Sequence, residues 1–151
     1  MNLELEGKVA IITGASRGIG KSIALAFAHN GAKLVLASRD KYGELEKVTS
    51  EVKNLGTAVL SVATHLGKST DLDNLVAEAQ REFGRIDVLV NNAATNPIIS
   101  PLIAIEERSW DHIMNVNLKG SFLLCQKIAR LMIEQKEGCI INIASVDGIK
   151  V

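Results

Sequence analysis

The chain has no surplus of charge of either sign. Its 17 basic and 17 acidic side chains cancel, so no overall field draws in nucleic acid or an anionic membrane, and any anion site has to be built from individual groups. Long hydrophobic runs are missing too. None reaches the ~18 residues of a membrane span, and Met1-Asn2-Leu3-Glu4-Leu5-Glu6 has neither the basic start nor the apolar stretch of a secretion signal. No membrane and no nucleic-acid partner is expected, and the expected location is cytoplasmic. Cysteine is nearly absent. Cys125 and Cys139 are the only two, each set in apolar sequence with no partner at metal-ligand spacing, which points to reduced core thiols and to no metal. There is no repeat, low-complexity stretch or linker.

What is present is the balance of a packed protein, with 47% hydrophobic and 23% charged residues over 151 positions. A chain of this length buries roughly 68–70% of its unfolded surface, enough for one domain with a real core, and one domain over 1–151 is expected. Five short apolar runs, at 8–12, 33–37, 58–62, 86–90 and 139–143, are rich in β-branched residues. They mostly do not alternate with polar residues, as strands covered on both faces should not. Between them Ile19/Ile23/Phe27, Leu45/Val48/Val52 and Leu72/Leu75/Val76/Ala79/Phe83 recur at three and four residues, the stripe of an amphipathic helix. Gly31, Gly56, Gly84 and Gly138 stand shortly before four of the runs, where a helix end calls for a residue tolerant of positive φ. Residues 106–137 read as a longer helix with Asn117 in its middle. Strand–helix alternation of this kind predicts an α/β fold, a doubly wound parallel sheet of five strands joined by crossover helices. Its ligand should lie where the strand order reverses, beyond the carboxyl ends of the strands.

The first strand runs into Thr13-Gly14-Ala15-Ser16-Arg17-Gly18-Ile19-Gly20 and then directly into a helix. Gly14 suits a tight turn, Gly18 a close approach of backbone to a pyrophosphate and Gly20 close helix packing, with the free N–H groups of the helix start facing the anion. The same stretch from Ala15 to Ser22 also reads A-x-x-x-x-G-K-S, a relaxed triphosphate-binding loop in which Lys21 reaches phosphates and Ser22 holds magnesium. That chemistry wants an aspartate at the end of a later strand. The later strands run instead into Ser38-Arg39, Thr64-His65, Asn91-Asn92 and Ala144-Ser145, which leaves the triphosphate reading as an alternative only.

These strand-end residues, with the glycine loop, make the chain resemble the short-chain dehydrogenase/reductase family and its Rossmann sheet. Asn91-Asn92-Ala93-Ala94 resembles the family's N-N-A-G, departing at Ala94, and implies that a nicotinamide ribose passes there. Asn117 resembles an asparagine that sits at a helix irregularity and holds a water of the proton relay. Ser145 corresponds to the catalytic serine that hydrogen-bonds the substrate oxygen. His65 and Leu66 fall at the adenine position, where His65 replaces an aspartate and leaves its backbone N–H to meet the base. Thr64-His65-Leu66-Gly67-Lys68 with residues 91–97 is similar to a branch that includes carbonyl reductases acting on retinal and related ketones.

The resemblance implies an NAD(P)(H)-dependent oxidoreductase acting on a small carbonyl or alcohol, with cofactor contacts from Gly14, Ser16, Arg17, Gly18, Ile19, Gly20, Ser38, Arg39, His65, Leu66, Asn92, Ala93 and Ala94. NADP(H) is expected over NAD(H), which stays possible. Arg39 stands where an NAD-preferring fold places an acid for the ribose, Ser38 leaves room for a phosphate, and Asp40 is the competing feature. The helix over 106–137 resembles the element through which family members pair, so a homo-oligomer is expected. The family's Tyr-x-x-x-Lys pair has no match, since Tyr42 is the only tyrosine. The reading is therefore of a cofactor-binding half, truncated after the fifth strand, marginally stable and with little turnover. A catalytically inactive NADP(H)-binding module is the alternative.

Overall fold

The structure, a computed structural model, describes residues 4–39 and 42–145. Five strands, β1 (Val9–Thr13), β2 (Lys33–Ser38), β3 (Val59–Ala63), β4 (Val88–Asn91) and β5 (Cys139–Asn142), pair in parallel in the order β3-β2-β1-β4-β5. The helices are α1 (Gly18–His29), α2 (Glu44–Asn54), α3 (Ser69–Phe83), α4 (Glu107–Ile113) and α5 (Ser121–Gln135). Strand order reverses between β1 and β4, so the carboxyl ends of these two strands frame a crevice.

The absence of alternation in the inner strands has the expected cause. Successive side chains point to opposite faces: Val9 and Ile11 of β1 join Val35, Leu75, Leu89, Leu124 and Ile128 in one core, and Ala10 and Ile12 join Ala24, Leu34, Leu36 and Val48 in the other. All of β1 and β4 is buried. β5 is different. Among the described residues it pairs only with β4, and Ile141 and Ile143 remain 38% and 39% exposed.

Three local expectations change. Gly31, Gly56 and Gly84 adopt φ of +82°, +81° and +71°, but Gly138 does not, and α5 instead ends on Lys136 at φ 58°. Gly138 answers to space, because a Cβ there would lie 2.3 Å from Cγ of Met132. The segment 106–137 is not one uniform helix: α4 passes into a π-helical stretch over Met114–Gly120 before α5 begins. Of the two thiols, both free, Cys125 is half-buried, while Cys139, at the start of β5, is exposed among the described residues.

At the opposite end of the sheet from the crevice, Asp87 is 3% exposed. It accepts hydrogen bonds from Val9 N–H at 2.9 Å and from Arg85 Nε at 2.9 Å. Burial pushes its carboxyl upward, but the Arg85 and Val9 hydrogen bonds and the charges of Arg85 and Lys8 outweigh it, leaving the group below the ordinary carboxylate range. Because the folded state holds this proton more weakly than the unfolded one, the stabilisation is complete above the ordinary carboxylate value. It is lost as pH falls through the folded value, below about pH 4. Asp87→Asn should lower stability by about 1.5–3 kcal/mol at neutral pH and by progressively less in strong acid. Denaturant melts of both proteins from pH 7 down to pH 3 check this: two curves that stay parallel would show that the carboxylate charge contributes nothing.

Candidate functional site

A cleft of about 310 Å³ opens beyond the carboxyl ends of the strands. Of the residues anticipated as cofactor contacts it gathers Gly14, Ser16, Arg17, Ser38, Arg39, His65, Leu66, Asn92, Ala93 and Ala94, drawn from the ends of four strands. Gly18, Ile19 and Gly20 stand outside its lining, and Thr13, Tyr42, Glu44, Thr95 and Val116 belong to it without having been anticipated.

The glycine loop is built around Thr13. Its buried hydroxyl donates to Val90 O at 3.2 Å and accepts the N–H groups of Asn92 and Ala93, both at 3.0 Å. The Asn92 amide in turn donates to Thr13 O at 2.9 Å and to Gly14 O at 3.3 Å. Asn92 is thus the brace between the ends of β1 and β4, and its side chain is committed to the loop. The three glycines divide their work. Gly14 makes the turn at φ +66°, and a Cβ on it would meet Ala93 Cα at 2.9 Å. A Cβ on Gly20 would fall 2.3 Å from Gly14 O. Gly18, at φ +55°, has nothing within 4 Å of that position. Its bare face is open at the start of α1, where no side chain caps the helix and the first turn carries no acid. Free N–H groups at an uncapped helix start, beside a glycine with open space, fit the pyrophosphate of a dinucleotide.

The two groups named by the triphosphate alternative have other partners in the structure. Lys21 Nζ pairs with Glu51 of α2 at 2.7 Å, and Ser22 Oγ donates to Gly18 O at 3.2 Å. Among the described residues no cluster of three or more His, Cys, Asp or Glu side chains could hold a metal ion, and no helix is long and apolar enough to cross a membrane.

At the end of the cleft formed by β2 and β3, Arg39 and Arg17 are exposed. Arg17 lies 4.0 Å from Glu44, a pair too open to solvent to hold it firmly. Asp40, the competing ribose ligand, lies outside the described residues. His65 departs from expectation in one respect: its backbone N–H donates to Asp71 Oδ2 at 2.9 Å and is not available to a base. Asp71 sits in the first turn of α3 and fixes the loop that the chain enters after β3. The His65 ring accepts the Gly67 N–H on Nδ1 at 3.0 Å and packs edge-on to His112, ring centres 6.3 Å apart. Burial first, then the charges of Arg39, Lys68 and His112, lower the imidazole's pKa against a weaker opposing pull from Asp71, so it is neutral at pH 7.

The π-helical stretch clamps both halves of the cleft. Asn115 Nδ2 donates to Gly67 O at 3.1 Å, on the β3 side. Asn117 engages the backbone of Thr95 twice, accepting from its N–H at 2.8 Å and donating to its O at 2.9 Å, on the β4 side. Between them Val116, 8% exposed, lines the cleft, and Gly120 lets Leu66 O approach to where a Cβ would be 2.5 Å away. Asn117 itself does not line the cleft; it holds Thr95, which does. Each end of its amide keeps capacity for one more bond. Ser145, exposed and the last described residue, follows β5 and also stands outside the cleft lining. Thr13, Asp71 and Asn115 had no distinguishing signal in the sequence beyond lying next to strand ends and inside the helical segment.

The family described as short chain dehydrogenase matches residues 8–151. Among curated proteins, the 3-oxoacyl-(acyl-carrier-protein) reductase FabG of Thermotoga maritima is 38% identical over 148 residues, 97% of this chain and 59% of that protein. Dehydrogenase/reductase SDR family member 4 of Bos taurus is 34% identical over 142 residues, 94% of this chain and 50% of that protein. Among solved structures, a metagenomic short-chain oxidoreductase in complex with NADP superposes with a TM-score of 0.90 at 40% identity, covering 95% of this chain and 65% of that one. NAD+-bound xylitol dehydrogenase superposes at 0.93 and 30% identity, covering 97% and 56%. The chain spans between 50% and 59% of the length of these curated relatives.

Proposed function

The chain belongs to the short-chain dehydrogenase/reductase family, and from that premise we propose that its cleft binds a nicotinamide dinucleotide, NADP(H) in preference to NAD(H), in an oxidoreductase acting on a small carbonyl or alcohol. The observation that carries the reading is the open face of Gly18 at the uncapped start of α1, set where the strand order reverses. Gly14, Ser16, Arg17, Gly18 and Ile19 hold the pyrophosphate region, with Gly20 packing the helix behind them. Ser38 and Arg39 take the ribose and its phosphate, His65 and Leu66 the base, and Ala93, Ala94 and Thr95 the nicotinamide end. The nicotinamide supplies the hydride acceptor or donor when bound. Asn117 keeps Thr95 in place and has the spare bonding capacity to hold a water. Ser145, beyond β5, contributes a hydroxyl to the substrate oxygen. The decisive measurement is a thermal melt with and without NADPH: a ligand bound only by the folded state adds about 2.7 kcal/mol at a hundred times its Kd, and an unshifted melt would remove the reading.

The NADP(H) preference rests on Arg39 and Arg17 lining one cleft. A hydrogen bond to a charged group contributes about 1.5–3 kcal/mol, so Arg39→Ala should weaken NADPH by about tenfold or more and leave NADH nearly untouched. Titrating both cofactors reads the ratio directly, and a ratio that does not move removes the assignment.

Homo-oligomer formation through the segment from α4 to α5, the π-helical stretch included, is also part of the proposal. Ile128 is fully buried in the chain's own core, and Ile113 and Leu131 are half-buried, so none of these serves. Trp110, Leu118 and Phe122 are 53%, 59% and 59% exposed. The double substitution Leu118→Glu, Phe122→Glu is expected to convert the oligomer to a monomer in light scattering at micromolar concentration, with the far-UV circular dichroism unchanged and the melt no longer dependent on protein concentration. A wild-type monomer counts against it.

A further inference from the structure

Resting on the dinucleotide reading above, we propose that His65 recognises the cofactor's base as a hydrogen-bond donor through Nε2–H, so that the base presents a ring nitrogen to it and its amino group goes unread. Nδ1 of His65 accepts the Gly67 N–H at 3.0 Å and so carries no proton. A neutral imidazole in that state has its proton on Nε2, at the distal tip of the ring. The surroundings offer nothing to reverse this. The one carboxylate acting on His65, Asp71, accepts the residue's own backbone N–H, Arg39 and Lys68 can only donate, and the remaining charged neighbour, His112, meets the ring edge-on with ring centres 6.3 Å apart.

The edge of the base that meets this donor follows from the order of the strands. The ribose belongs at the end of β2, where Ser38 and Arg39 line the cleft, and His65 lines it at the end of β3, one strand further out. A purine attached to that ribose through N9 extends toward β3 with its far edge leading. That edge is N1 together with the 6-substituent. In adenine N1 is an acceptor and the 6-amino group a donor, so a donor at His65 is satisfied by N1 alone. A carboxylate at the same position would instead accept from the amino group.

The test compares two probes on the chain, NADPH and its analogue carrying unsubstituted purine in place of adenine, by fluorescence titration. The wild-type chain is expected to bind both within about threefold, because deleting the amino group removes nothing His65 uses. His65→Leu should weaken both by roughly three- to tenfold, the loss of one neutral hydrogen bond, with their ratio unchanged. His65→Asp should bring in a preference for adenine of similar size. A wild-type loss of tenfold on removing the amino group, or a leucine variant that binds both probes like wild type, overturns the proposal and leaves the dinucleotide site standing. Failure of the wild-type chain to bind either probe overturns both.

Discussion

Gly20→Ala is expected to abolish useful cofactor binding, raising Kd on the order of a hundredfold, the loss of two hydrogen bonds to a charged group at about 1.5–3 kcal/mol each. The added methyl would sit 2.3 Å from Gly14 O and 2.6 Å from Asn92 Nδ2. Neither neighbour can yield. Gly14 O belongs to a turn held at φ +66°, and the Asn92 amide is tied to Thr13 O and Gly14 O. The start of α1 must therefore lift away from the loop, which moves the N–H groups meant for the anion. Overpacking of this kind also destabilises by about 1–3 kcal/mol. Gly18→Ala differs in its effect on stability: its methyl meets no protein atom, so packing is unaffected and the melt should fall only by the strain of a left-handed residue, about 1–2 kcal/mol, while NADPH should weaken because the methyl stands on the face assigned to the pyrophosphate. Melts and NADPH titrations of both variants distinguish them, and a Gly20→Ala protein that binds like wild type would refute the packing argument.

Thr13→Val carries the largest expected effect on stability. The shape is kept, but the hydroxyl that accepts from Asn92 N–H and Ala93 N–H and donates to Val90 O is gone. Two half-buried N–H groups lose their acceptor at about 1–3 kcal/mol each, so a loss of about 2–6 kcal/mol is expected. Against a net stability of about 5–15 kcal/mol for a domain, that is a large fraction. Thr13→Ser keeps the hydroxyl and should lose only the methyl, about 0.8 kcal/mol. Denaturant unfolding gives both values, and amide hydrogen exchange at residues 92 and 93 should quicken in the valine variant alone. Equal stability of valine and serine variants would mean that the hydroxyl is not the hub of the crevice.

Periodicity and the glycines carried most of the fold because they are local properties of the chain. The five apolar runs read as strands covered on both faces, and β1, β2 and β4 are buried along nearly their whole length. β5 has the same apolar character in sequence, yet among the described residues it pairs only with β4 and most of its residues are exposed, since burial of a strand is set by which neighbours it finds. Gly138 looked like the other helix-ending glycines, but Lys136 took the left-handed turn and Gly138 was needed to clear Met132. Nothing within a few residues of either position distinguishes a turn from a close contact made six residues back.

The sequence by itself determined the α/β alternation, the crevice beyond the strand ends and most of the residues that line it, because each is specified by residue type and spacing along a single stretch. Only the tertiary structure decided what those residues are free to do. The Asn92 Nδ2 group is spent on bracing Thr13 and Gly14, the His65 N–H is spent on Asp71, Lys21 pairs with Glu51, and Asn115 and Asn117 reach to opposite sides of the cleft from one π-helical turn. A donor's identity is written in the chain, but its partner is whichever acceptor the fold brings within about 3 Å, and most of these partners lie 20 to 80 residues away.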